Sequence, residues 1–196
     1  KEWENIIFHL PYAFHGRRMI VNKWLAWMSE NGRAEEIYSE IGRPESNQDK
    51  DWIKKVSKSN LYKKFIEHKI APGEKASSEI GNMYTASIFM ALISSLVDGF
   101  ENDKDFENKK IGFVSYGSGS KAKIFEGTVQ KNWIEKVSSI KLYDSLNKRK
   151  KISIDIYENL HKRRVTSNIN NNDGIIKLNK ISDGEFTEGL RNYLKY

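Results

Sequence analysis

Apolar spacing changes several times along the chain, and each change marks an element. IIFH (6–9) opens with an unbroken apolar run, the pattern of a strand buried on both faces. From Arg17 to Asn31 the spacing turns helical, with Ile20, Trp24, Trp27 and Met28 on one stripe and Asn31-Gly32 as the stop. Residues 51–69 carry a second amphipathic pattern around Trp52, Val56, Phe65 and Ile66, with many lysines on the other side. Gly42-Arg43-Pro44 and Ala71-Pro72-Gly73 punctuate it as loops. Residues 82–98 are apolar on nearly all sides, which predicts a buried helix. ENDKDFENKK (101–110) reads as a charged loop, IGFVSY (111–116) as a central strand, Gly117-Ser118-Gly119-Ser120 as a sharp turn, and AKIFEGTV (122–129) as a strand returning antiparallel.

After residue 130 the character changes. LNKRKKISIDIYENLHKRR (146–164) holds a basic cluster and then a helix for which Ser153 is the candidate N-cap. SNINNNDG (167–174) is a polar loop, and IIKLNKISDG (175–184) with the residues up to Tyr196 reads as a terminal strand and hairpin. No internal repeat is present. Strands mixed with helices predict an α/β fold.

Composition narrows the function classes. A chain of 196 residues buries roughly 70% of its unfolded surface and needs no disulfide or metal to hold a core. It has no cysteine, so it has no disulfide framework, no thiolate metal site and no cysteine nucleophile of its own; a reducing, cytoplasmic setting is expected. No apolar run reaches about 18 residues, and IFMALISSLV (88–97) is too short to span a bilayer, so no membrane partner is expected. The opening KEWENIIF lacks a signal-peptide pattern. The net charge of +7 favours anionic partners, although the lysines are spread along the whole chain as on an ordinary solvated surface. Without a helix-turn-helix, RNP-like or zinc signature, nucleic-acid binding is not expected.

Three stretches carry candidate chemistry: FHLPYAFHGRR, GNMYTAS and SYGSGS, each where a strand or turn meets another element. A histidine ending an apolar strand sits at the mouth of a sheet, and Pro11 stops the strand and fixes the turn after His9. A single histidine is more often structural than catalytic. His15 reads as a surface residue at a helix entry, and His68 and His161 as helix-face residues. No His/Asp/Glu pair has metal-ligand spacing, so no metal is expected. Asn82 follows Gly81 and opens the buried helix; it either caps that helix or offers its amide to a substrate carbonyl. The Gly117-Ser118-Gly119 turn can aim backbone N–H groups at an oxyanion, though a lone GSG is more often a plain turn. It has neither phosphate-loop spacing.

Taken in this order, FH-x-PY…GRR, GNMYTAS and a strand ending SYGSG resemble the C-terminal half of the 3-hydroxy-3-methylglutaryl-CoA synthase family, within the thiolase superfamily. The likeness runs over nearly the whole chain and includes the LNKRKKIS…YENLHKR segment and the final strand pair. It implies half of a thiolase-like fold, a mixed sheet packed with helices, as one C-terminal domain with a core at 1–130 and a family-specific extension at 131–196. It also implies a reaction. The family acetylates a cysteine, a glutamate deprotonates the acetyl methyl group, and the carbanion attacks the ketone of acetoacetyl-CoA; water then releases the product.

Residue by residue, His9 matches the histidine that holds and polarises the acetoacetyl group. Asn82 matches the asparagine on the acyl chain, and Ser118 the serine whose backbone N–H binds the thioester oxygen. Pro11, Tyr84, Tyr116 and Gly117 are expected to line the substrate pocket. Arg17 and Arg18 are expected to face coenzyme A; Arg18 keeps the charge of a family lysine, whereas Phe14 replaces another. The implied partners are acetyl-CoA and acetoacetyl-CoA as substrates with no further cofactor, an N-terminal half bearing the cysteine and glutamate, and a second copy in a homodimer. This chain has no cysteine, so alone it is expected to be inactive. Two other readings fit the same residues: a non-catalytic acyl-CoA-binding module, and a relative acting on carrier-protein-bound β-ketoacyl chains.

Overall fold

Strand β1 (Asn5–Phe8) is buried along its whole length, as its apolar run requires. In this computed structural model, which describes residues 2–46, 49–117, 121–164, 176–182, 184–186 and 188–195, β1 runs parallel to β2 (Lys110–Gly117), with Asn5 opposite Ile111 and Phe8 opposite Val114. β2 pairs antiparallel with β3 (Lys121–Thr128), from Lys110 opposite Thr128 to Gly117 opposite Lys121. The order β1-β2-β3 places β2 at the centre of a mixed sheet, as its sequence predicts.

The helices depart from the periodicity in instructive ways. α1 (His15–Glu30) buries Val21, Trp24 and Met28, while Trp27 is exposed beneath the Arg33 guanidinium, 5.5 Å from its ring centre. The short α2 (Ala34–Ile41) follows. The expected single pattern over 51–69 is two helices, α3 (Lys50–Val56) and α4 (Asn60–Lys69). Ser59 makes the break. Its Oγ accepts the Tyr62 N–H at 3.2 Å and donates to the Val56 carbonyl at 2.8 Å, so it closes one helix and caps the next. Both helices face one core, which is why the period runs through the break.

Ala71-Pro72-Gly73 is not a loop. It is the first turn of α5 (Ala71–Ile80), where proline lacks only a donor that would be unpaired anyway. α6 (Ala86–Glu101) starts four residues later than expected and is not buried all round, since Phe89 is 64% exposed. The main core gathers Ile7, Phe8 and Leu10 with Met28, Val56 and Ile70. A second cluster joins Val97 and Phe106 to Trp133 and Val137, on α7 (Trp133–Ser138), and α8 (Leu142–Asn147) follows.

The chain divides into two compact units, Lys1–Arg149 and Lys150–Tyr196. Within the second, Ser153 caps α9 (Ile154–His161) as expected, its Oγ accepting from Ile156 N. β4 (Ile176–Ile181) and β5 (Arg191–Lys195) form the expected terminal hairpin, with an irregularity between Leu178 and Lys180. The loop expected at 167–174 lies outside the described residues, as do Ser118, Gly119 and Ser120. Among the described residues no helix is long and apolar enough to cross a membrane.

Candidate active site

The parallel strands β1 and β2 end on the same side, and the candidate site lies at those carboxyl ends. The His9 N–H donates to the Val114 carbonyl at 3.0 Å, extending the ladder by one residue and pinning His9 where the strand stops. Leu10 is buried, and its N–H donates to Ser87 Oγ at 3.0 Å. Pro11 then turns the chain into α1.

Gly16 allows this return. A Cβ there would lie 2.6 Å from Phe8 Cδ2, so only glycine lets the start of α1 rest on the end of β1. The close approach brings His15 back beside the strand ends.

Tyr116, the penultimate residue of β2, stands between two histidines. Its ring meets the His9 ring edge-on at 5.2 Å and the His15 ring at 5.5 Å, and His15 meets Tyr12 at 4.8 Å. His9 Nδ1 lies 3.1 Å from Ser87 Oγ. His15 is therefore half-buried within the site rather than a surface residue. Burial first, and then the neighbouring His9 and Arg18, holds its pKa below the ordinary histidine value. Its Nδ1 is buried with no hydrogen-bond partner among the described residues. The spacing of two histidines across a proline turn was the signal for it. Ser87 was present in the sequence as the last residue of GNMYTAS, but nothing in its spacing aimed it at His9.

The two arginines have different surroundings. Arg17 Nε donates to Glu74 Oε2 at 2.6 Å, and Glu74 is buried. Burial raises the Glu74 pKa, and Arg17 opposes that rise. The Tyr62 hydroxyl donates to the Arg17 carbonyl at 2.5 Å, and burial pushes the Tyr62 phenol well above its usual range. The Arg17 guanidinium also lies 4.7 Å from the Phe14 ring centre. Arg18 is exposed, 5.7 Å from the Tyr12 ring centre, and among the described residues it makes no ion pair. Both arginines line a groove of ≈ 390 Å³ with Phe14, Lys54, Tyr62 and Lys63.

Asn82 does not cap α6, whose N-cap position is Thr85. Asn82 Oδ1 instead accepts the Tyr84 N–H at 2.8 Å, closing a turn in which Tyr84 has φ 51° and is 77% exposed. That leaves the Asn82 Nδ2 donors as the outward-facing chemistry. Among the described residues no hydrogen bond or ring contact links Asn82 or Tyr84 to His9. Gly117 ends β2, and among the described residues nothing lies within 4 Å of where a Cβ would stand. Among the described residues no group of three or more His, Asp or Glu side chains could hold a metal ion. The site thus offers neutral hydrogen-bond donors and aromatic walls, which suits a carbonyl group, and supplies no thiol nucleophile.

The family model described as hydroxymethylglutaryl-coenzyme A synthase C terminal matches residues 1–186. The chain is similar to the hydroxymethylglutaryl-CoA synthase of Haloferax volcanii, with 27% identity over 164 residues, covering 78% of this chain and 37% of that protein. Among solved structures it is similar to MvaS in complex with 3-hydroxy-3-methylglutaryl coenzyme A, with a TM-score of 0.67 and 24% identity over 98% of this chain and 41% of that one. It is also similar to the curacin-pathway HMG synthase in complex with holo donor-ACP, with a TM-score of 0.59 and 19% identity over 100% of this chain and 43% of that one. These likenesses identify the α/β fold as thiolase-like. The chain spans about two fifths of the length of the proteins it matches. It belongs to the hydroxymethylglutaryl-CoA synthase family, to which it corresponds as the C-terminal part.

Proposed function

We propose that this chain is one C-terminal domain that completes the active site of a hydroxymethylglutaryl-CoA synthase, condensing acetyl-CoA with acetoacetyl-CoA. The observation that carries the reading is His9. It is fixed at the shared end of two parallel strands and walled by Tyr116, in the FH-x-PY stretch whose resemblance to the family implies the substrate histidine. A cysteine on an N-terminal half would carry the acetyl group, and a glutamate there would take a methyl proton. The resulting carbanion adds to the ketone carbon of acetoacetyl-CoA, so the C=O pair moves onto oxygen. His9 stands as the donor for that oxygen, where a preorganised hydrogen bond acts most strongly on the developing charge. The alkoxide then takes a proton, and water cleaves the acyl-cysteine bond.

Asn82 offers its amide to the acyl chain, and Ser118 offers its backbone N–H to the thioester oxygen. Pro11, Tyr84, Tyr116 and Gly117 border the acyl pocket. Arg18, exposed and without an ion pair among the described residues, faces the coenzyme phosphates with Lys54 and Lys63 along the same groove. Arg17 supports that groove from its bond to Glu74. Coenzyme A thioesters serve as substrates with no further cofactor, in a cytoplasmic setting and within a homodimer.

The test joins the native polypeptide, or this chain co-expressed with a cysteine-bearing N-terminal half, to radiolabelled acetyl-CoA and to acetoacetyl-CoA. His9→Ala is expected to lower condensation by about 10²–10⁴-fold while the cysteine still becomes acetylated. Condensation at the wild-type rate in His9→Ala would sink the reading.

A further inference from the structure

Ser87 sits at the head of α6 with no exposed surface, and it faces two groups of the β1 terminus. Its Oγ accepts the Leu10 N–H at 3.0 Å. A serine hydroxyl has one proton to give and two lone pairs. With a lone pair committed to Leu10, the remaining contact is His9 Nδ1 at 3.1 Å, and this is the one acceptor recorded for the Ser87 hydroxyl among the described residues.

We infer that Ser87 is a positioning residue that fixes the His9 tautomer: its hydroxyl donates to Nδ1, so the ring proton of neutral His9 resides on Nε2. The hydrogen bonds disfavour the reverse arrangement. If Nδ1 carried the proton, Ser87 Oγ would accept from both Leu10 and His9, and its own proton would be buried without an acceptor among the described residues, which is costly. The edge-on Tyr116 ring holds the plane of the imidazole, so tautomer and orientation are set together.

This inference rests on the proposed condensation and assigns the form in which His9 serves it. An Nε2–H group is a hydrogen-bond donor toward a ketone oxygen, whereas an unprotonated Nε2 would repel the growing negative charge. The Leu10 contact adds a second function to the same hydroxyl. It ties α6 to the backbone position directly after His9, so the donor and the group it orients move as one piece.

The experiment uses the complete native polypeptide labelled with 15N-histidine, with the His9 resonances assigned by their loss in His9→Gln. Long-range 1H–15N correlation in the wild type is expected to show the Nε2–H pattern. Ser87→Ala is expected to convert it to a mixed or Nδ1–H pattern and to lower kcat for condensation about 10–100-fold, with a smaller change in KM. Ser87→Thr, which keeps the hydroxyl, is expected to restore both. An Nδ1–H pattern in the wild type overturns the assignment, even if Ser87→Ala fails to fold. An unchanged His9 pattern in a folded Ser87→Ala protein also overturns it. Wild-type condensation in His9→Ala, with the Nε2–H pattern intact, removes the proposed function but leaves the tautomer assignment standing.

Discussion

His15 entered the site through geometry, and its titration follows from that placement. The ring is desolvated and lies near His9 and Arg18, so its protonated form is disfavoured in the folded chain. The unfolded chain therefore binds a proton near pH 6.5, before the folded chain does. Stability contributed by this group is present above that pH and is lost as pH falls from 6.5 toward the lower folded value. The melting temperature is expected to drop between pH 7.5 and 5.5, and to drop less in His15→Gln. Equal slopes in the two proteins would remove His15 as the cause. Glu74 works in the opposite sense. Its raised pKa comes from burial, and Arg17 limits the rise by supplying a partner. Arg17, expected from the resemblance to face coenzyme A, is ion-paired to a buried glutamate, while its neighbour Arg18 remains outward. Side-chain partners of this kind come from elements 57 positions away and have no signature in local spacing.

At the scale of elements, the contact between α1 and β1 governs the site. Gly16→Ala places a methyl group against the Phe8 ring. Alanine gains at most about 1 kcal/mol of helix propensity, against ~1–3 kcal/mol for overpacking a filled core. Urea titration is expected to show a net loss of about 1–2 kcal/mol. A neutral or stabilising Gly16→Ala would mean that the α1–β1 contact yields freely. The strands β1, β2 and β3 were legible because an unbroken apolar run and the β2–β3 turn leave few alternatives, and His9 and Tyr116 came with them as strand-end residues. The helices were less legible where composition misleads. Pro72 and Gly73 suggested a loop but occupy a first helical turn, where proline costs nothing and glycine fits against Ile7 and Ala91. Periodicity ran through the Ser57–Ser59 break because α3 and α4 share one core, although the capping Ser59 marked it. Asn82 looked like a helix cap because Asx turns and N-caps use the same side-chain chemistry. The resemblance supplied roles for His9 and Asn82, but the Ser87 bond depends on an α6–β1 approach that no motif encodes.

For the whole molecule, the outer strand matters most. Ile124 and Phe125 are consecutive on β3 and so point to opposite faces, yet they are 68% and 50% exposed. Among the described residues β3 has no partner on its outer edge; an edge strand with apolar residues on both faces is prone to pairing, and the chain spans about two fifths of the proteins it matches. The isolated chain is expected to self-associate in sedimentation velocity at micromolar concentration, and Ile124→Lys to shift it toward monomer. A wild-type chain that stays monomeric throughout would show that β3 tolerates exposure. The β1–β2 register has a further consequence, in time rather than in space. Asn5 pairs with Ile111, so β1 finds this partner strand only after more than a hundred further residues have been translated. At ~5–20 residues per second that is a wait of about 5–20 s. During that interval β1 lacks β2, and His9 has no Tyr116. The site is therefore assembled only once that long-range closure is made. Slowed translation between the two strands prolongs the period in which the nascent chain depends on chaperones.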